Sequence, residues 1–444
     1  PTKGLAVTSP AGGVRLMLPG EGGKFAGASI YSDDHGQTWH SNGTAAVGEM
    51  DWTVCPQAAD CPPGMKYAMI NRGGAKDSPN SCQISFSADS TTWSRQTSTD
   101  NGQIVVGTHH GKPGLVAVPG ALLSSQQISQ CPLGLKLNSD SSCGTPGSSN
   151  HTNRTASDVI GHGMALLISK DGVHWSLFKK LWPYGGMYTT MAALTTNAAG
   201  EALTYGVIFA NPASTVTYMN FTAVHPNGTI DAELAAAIAT LTSPASRHAR
   251  APLGVKHVVA DKSVAPVVRA TIPFPTGPAP RIPSIDGTAF PPYRTVFVRG
   301  ECTANDFPKP EPSPFGPTTI NTNKTCFSCF RIPTLLAGST PGVVHAFAEA
   351  RRGELTAGFH QYTGSGAESC PDGHDTRLAY KRSIDGGASW SPVKIFLQPA
   401  NERAENGHCQ SQAAPLIDPT TKTLLVAFNS GGPMCQGRST PMLV

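Results

Sequence analysis

Charge is scarce in this 444-residue chain: Asp, Glu, Lys and Arg make up 14% of it, and the net charge at pH 7 is only +4. No run of lysine or arginine occurs, so the sequence offers no electrostatic footprint for nucleic acid or an acidic membrane surface. Neither is expected as a partner. Long apolar runs are missing as well. No segment approaches the roughly 18 apolar residues of a helical membrane span, so none is expected. The first residues lack the charged and apolar parts of a signal peptide, and the chain reads as soluble and already mature. Cysteines and histidines at zinc-finger spacing are absent too, which argues against a structural metal.

Turn formers are plentiful instead, with 47 Gly and 38 Pro beside an apolar fraction of 39%. That mixture suits many short strands joined by tight turns and disfavours a helix-rich fold. Eleven cysteines, among them the close pairs Cys55/Cys61 and Cys326/Cys329, fit disulfides in an oxidising compartment. The odd count leaves one thiol unassigned. N-x-S/T sequons at Asn42, Asn150, Asn153, Asn220, Asn227 and Asn323 agree with that compartment. The expected location is secreted or extracellular, or alternatively lumenal, such as lysosomal.

A short motif recurs four times. Ser32-Asp33-Asp34-His35-Gly36-Gln37-Thr38-Trp39 and Ser383-Ile384-Asp385-Gly386-Gly387-Ala388-Ser389-Trp390 fit S-x-D-x-G-x-[ST]-W, and Ser87 to Trp93 and Ser169 to Trp175 are shorter relatives. The Asp can accept backbone N–H bonds inside a turn, the Gly supplies positive φ, and the Trp covers the turn from the sheet side. An Asp occupied in this way serves the fold and is not available for catalysis. The repeat resembles the Asp box of sialidases and of several unrelated propellers. The expected fold is therefore all-β, a six-bladed β-propeller with Asp-box hairpins, in which ligands bind near the central axis.

Further segments resemble the sialidase family. Cys329-Phe330-Arg331-Ile332-Pro333, followed by Val343 to Arg351, resembles the FRIP motif and its next strand. The resemblance gives Arg331 a place among three arginines that grip a sialic acid carboxylate, a task suited to a guanidinium fork. Glu349 is its implied orienting partner, with Arg351 in support. Cys370-Pro371-Asp372-Gly373-His374-Asp375 falls where the family has its acid/base aspartate, with Asp372 preferred and Asp375 the rival. Gly48-Glu49-Met50-Asp51 resembles the segment carrying the glutamate base, and Asn71-Arg72 the second arginine. Arg154 is the candidate third arginine. Gly185-Gly186-Met187-Tyr188-Thr189 resembles the nucleophile segment, with Tyr188 preferred over Tyr184.

In the family the FRIP arginine and the acid/base aspartate come first; here they come last. Residues 1–224 resemble the later blades, 291–444 the earlier ones, and 225–290 a linker with an alanine-rich helical run and a Pro-rich tract. The resemblance thus implies a circularly permuted exo-α-sialidase that hydrolyses terminal sialic acids with retention and needs no cofactor or metal. The nucleophile would be Tyr188, with Glu49 as its base and Asp372 as acid/base, while Arg331, Arg72 and Arg154 hold the carboxylate. The implied partners are sialylated glycans or glycoconjugates. A trans-sialidase would use the same residues, and a catalytically inactive sialic-acid-binding lectin would keep the arginines. A propeller scaffold carrying only the boxes would not need Glu49 and Tyr188.

Overall fold

A computed structural model describes residues 2–19, 29–42, 49–55, 61–71, 82–94, 97–98, 105–106, 112–129, 136–137, 143–144, 163–182, 187–196, 202–210, 215–242, 293–298, 301–304, 324–327, 329–351, 376–395, 409–431 and 440–443. The fold is an all-β propeller. Its first sheet pairs Leu5–Thr8, Val14–Pro19, Ser29–Ser32 and His40–Asn42 in that order, and its second Met50–Val54, Tyr67–Asn71, Gln83–Ser87 and Thr97–Ser98. The third runs through Gly114–Val118, Ala121–Ser129, Gly163–Ser169 and Ser176–Trp182, with Val105–Val106 added beside Ala121–Ser129. The fourth holds Met187–Thr196, Ala202–Ala210, Val216–Thr222 and Tyr293–Phe297, and the fifth Cys329–Ala337, Val344–Arg351, Thr376–Ser383 and Lys394–Ile395. A last sheet has Cys409–Ile417, Leu424–Gly431 and Thr440–Leu443.

The expectation of a six-bladed propeller is corrected here. Five sheets carry the four or more strands of a full blade, and the last has three, because no fourth strand pairs with Thr440–Leu443 among the described residues. Each hydrophobic cluster lies between two neighbouring sheets. Met17 shares a cluster with Trp52, Ile70 with Leu115, Leu123 with Val207, Ile208 with Phe330, Phe347 with Val426, and Leu416 with Leu16. The circle of sheets therefore closes on itself, and the Gly4 N–H to Pro415 carbonyl bond (2.7 Å) joins its two ends. This stacking explains why Tyr67–Asn71 and Gly114–Val118 are buried throughout. A strand covered on both faces has no polar side to alternate with.

The expectation of Asp-box hairpins is also corrected. The four motif copies are wide loops, residues 33–39, 88–94, 170–175 and 384–393, that separate the third and fourth strands of their sheets. Strand pairing stops well short of the tips, since the side chains do the closing. Asp34 accepts the Thr38 N–H at 2.8 Å, Asp89 those of Thr91 and Thr92, Asp171 those of Val173 and His174, and Asp385 that of Ser389. Trp39 and Trp175 donate their indole N–H to the carbonyls of Gly36 and Gly172 at 2.9 and 2.6 Å.

These loops also lean on the neighbouring sheet. Gly387 has φ +92°, and a Cβ there would enter the Tyr218 ring of the fourth sheet; Gly172 (φ +71°) would meet Ile84 of the second at 2.7 Å. Only glycine satisfies both the left-handed backbone and the close approach. The helix Ala232–Thr242 starts where Asp231 accepts the N–H groups of Glu233 and Leu234. Leu234, Ile238 and Leu241 pack it against the third and fourth sheets.

Candidate active site

The first strands of the sheets are neighbours around the axis. On three of them, in the fourth, fifth and last sheets, the pairing slips, between Met187 and Thr189, Arg331 and Thr334, and Ser411 and Ala414. Each slip is a bulge, and each holds a non-glycine residue in the left-handed region: Tyr188 (φ 49°), Ile332 (φ 52°) and Gln412 (φ 60°). A bulky side chain there costs about 1–3 kcal/mol, a cost proteins concentrate at functional sites. Three such residues lie on adjacent inner strands.

The bulges bring Tyr188 and Arg331 together. The Arg331 guanidinium lies 5.4 Å from the centroid of the Tyr188 ring, and both side chains are half-buried. A cation at that distance is attracted to the face of the ring. The two strands are stapled beside the pair. Thr190 Oγ donates to the Pro333 carbonyl at 3.2 Å, and the buried Lys112 ammonium donates to the same Oγ at 3.0 Å. Thr189 completes the register by donating its N–H to the Lys112 carbonyl (3.0 Å).

Glu49 is half-buried and immediately precedes the strand Met50–Val54. Two residues on, Asp51 is wholly buried and acts as a hub. Its carboxylate takes the Lys3 ammonium (2.8 Å), the N–H groups of Trp52 (2.9 Å), Leu115 (2.9 Å) and Met191 (3.4 Å), and the Thr2 hydroxyl. The Met191 bond fixes the level of this strand against the one bearing Tyr188. Glu49 lies two residues before Asp51 and Tyr188 three before Met191, so both precede this contact along the chain.

Glu349 faces Arg331 directly across the strand ladder. Its carboxylate is engaged by the buried Arg351 guanidinium, with Nη2 at 2.5 Å and Nε at 3.2 Å, and by the Gln412 N–H at 3.1 Å. It thereby ties the fifth sheet to the bulge of the last. Arg72, Arg154 and Asp372 lie outside the described residues, as do the rivals Asp375 and Tyr184. Sequence reasoning missed Asp51, Lys112 and Gln412. An acid set between Met50 and Trp52 in an otherwise apolar strand was a usable signal for the first; neither of the others sits in a motif. Among the described residues no group of three His, Cys, Asp or Glu side chains is placed to hold a metal ion. No described helix is long and apolar enough to cross a membrane.

The chain matches no protein-family model and no curated protein. Among solved structures it is similar to an α-L-arabinanase of Penicillium chrysogenum (11% identity, TM-score 0.44, 100% of this chain and 92% of that one). It is also similar to the Hadza microbial sialidase Hz136 (10%, 0.41, 99% and 65%) and to the GH43 β1,3-galactosidase BT3683 (7%, 0.35, 85% and 87%). At these scores the likenesses carry no argument about activity. The expected membership of the sialidase family is corrected: no family model supports it, and five full blades stand where the family resemblance implied six.

Proposed function

We propose that this chain is a glycoside hydrolase that removes terminal sialic acids from glycoconjugates with retention of configuration. The observation that carries the reading is the Arg331 guanidinium 5.4 Å from the Tyr188 ring at two adjacent bulges. A sugar whose anomeric carbon bears a carboxylate suits this pair. Its carboxylate calls for a guanidinium fork, and it repels an anionic nucleophile on approach, whereas a neutral phenol meets no such repulsion.

In this reading Tyr188 Oη attacks the anomeric carbon while Glu49 takes the phenol proton. Asp372 protonates the departing glycosidic oxygen, then deprotonates the water that releases the sugar from Tyr188. Arg331, Arg72 and Arg154 hold the substrate carboxylate. Glu349 and Arg351 brace Arg331 from the next strand, and Lys112 holds the Tyr188 strand against the Arg331 strand through Thr190. The reaction uses no cofactor.

A fluorogenic α-sialoside tests the activity, and a fluorinated sialic acid that forms a slow adduct tests the nucleophile. Turnover together with a labelled Tyr188 peptide is the expected result. Labelling at Tyr184 corrects the register, and sialoside binding with neither turnover nor labelling makes the protein a lectin. Turnover of a neutral glycoside alone rejects the substrate class.

A further inference from the structure

We propose that Asn227 is an N-glycosylation site, and that the fold prefers it to Asn220, the other sequon whose asparagine side chain is described. The inference does not depend on the sugar chemistry proposed above. It begins with the compartment. Cys55 and Cys61 form a disulfide, and Cys302 and Cys329 are also disulfide-bonded. Bonds of this kind persist where the surroundings are oxidising, which is where N-glycans are attached.

The Asn227-Gly228-Thr229 sequon forms an exposed turn between Val224 and Ile230, which pair as an isolated bridge. Backbone bonds from His225 N–H to Thr229 O and from Gly228 N–H to His225 O, both 2.8 Å, hold its shape. Asn227 Oδ1 accepts the Thr229 N–H (3.1 Å) and the Thr229 hydroxyl (2.7 Å). Its Nδ2 donates to nothing among the described residues. Space around the turn is open, since a Cβ on Gly228 would have no atom within 4 Å. The threonine that makes the triplet a sequon thus fixes the amide oxygen and leaves the amide nitrogen presented to solvent.

Asn220-Phe221-Thr222 has the same triplet logic and a different setting. Asn220 lies within the strand Val216–Thr222, paired with Gly206, and its Nδ2 donates to the Gly386 carbonyl (3.3 Å) beside the Tyr218 hydroxyl, which bonds the same oxygen. A glycan on that nitrogen would part the fourth sheet from the Gly387 loop of the fifth. The other sequon side chains lie outside the described residues.

In the transfer, Asn227 Nδ2 attacks C1 of the reducing-end sugar of a polyprenyl-diphosphate-linked oligosaccharide. The N–C1 bond forms and the C1–O bond to the diphosphate breaks. The polyprenyl diphosphate leaves with the electron pair, and the amide proton passes to a base of the transferase.

The test is to secrete the chain from a eukaryotic cell, remove N-glycans with peptide N-glycosidase in ¹⁸O-water, and map the resulting ¹⁸O-aspartates by mass spectrometry. Most molecules are expected to be labelled at Asn227 and few at Asn220. Asn227→Gln and Thr229→Ala should each lose one glycan-sized step on a gel, while Thr229→Ser keeps it. All three variants should retain the melting temperature of the deglycosylated parent. An unlabelled Asn227 in the secreted protein overturns the proposal, and so does equal labelling of Asn220.

Discussion

The rim loops and the central bulges solve opposite problems with the same backbone. At the rim each Asp is satisfied inside its own loop, and left-handed backbone falls on Gly172 and Gly387 and on His35 and Ser90 in the other two loops. At the centre Tyr188, Ile332 and Gln412 hold left-handed φ with full side chains on inner strands that are tied to neighbouring sheets, by Thr190 to Pro333 and by Gln412 N–H to Glu349. A loop that satisfies itself has nothing left to offer a ligand, whereas a bulge held from outside can present a side chain toward the axis. Substitutions at the centre should therefore change chemistry, and those at the rim stability.

The largest effect is expected from Tyr188→Phe, which removes one hydroxyl and nothing else. If Tyr188 is the nucleophile, kcat on a fluorogenic sialoside falls by about a thousandfold or more, while ground-state binding and melting temperature stay near the parent's. An unchanged kcat would place this bulge with the rim, as architecture. Arg331→Lys should come next. It keeps the charge and loses the fork, so kcat/KM should fall about 10- to 100-fold, through weaker binding of ground state and transition state alike. Steady-state kinetics separates the two variants by kind as well as by size.

How much of this was legible in the sequence follows the same division. The rim was readable because its chemistry is local: Ser, then Asp two residues on, then Trp six or seven residues after the Ser recur in each copy, and the loops they build close on themselves. Their width was not readable, since the spacing of a motif does not say where strand pairing stops. The closing sheet of three strands was equally hidden, because strand pairing is a long-range property. At the centre, Arg331 and Tyr188 stood out only through flanking residues. Lys112 and Gln412 did not stand out, because their roles depend on Thr190, Pro333 and Glu349, which are distant in the chain. The family resemblance also implied a membership that no family model supports.

A substitution at the rim should cost stability and spare turnover. Gly387→Ala forces a methyl group toward the Tyr218 ring, where the backbone is also left-handed, so the fold should lose about 1–3 kcal/mol. Denaturant unfolding monitored by tryptophan fluorescence measures the loss, and kcat at a temperature where the variant stays folded should match the parent's. A lowered kcat in the folded variant would mean that the rim and the centre are coupled.

The smallest effect concerns acid, and it sets one rim histidine against the rim aspartates. His345 pairs with Arg382 across the ladder, next to the Ser383 loop, and its Nδ1 meets the Tyr380 hydroxyl at 2.9 Å. Burial, aided by the Arg382 charge, pushes its pKa down from 6.5 to about 4. The unfolded chain then takes up this proton below about 6.5 and the folded protein only below about 4, so acidification between those values favours unfolding. The loss should be on the order of 2 kcal/mol across that window. Asp385 behaves differently, since bonds from the Ser389 hydroxyl and N–H hold its carboxylate at about 2, against 3.8 unperturbed. Its contribution is complete above 3.8 and disappears only as the pH falls toward 2. Denaturant midpoints measured from pH 7 to pH 3 should therefore decline in two stages. His345→Phe should flatten the upper stage, between pH 6.5 and 4, and leave the lower one in place. If the variant declines as steeply as the parent above pH 4, another group carries that loss, and the acid sensitivity of this sheet does not originate beside its rim loop.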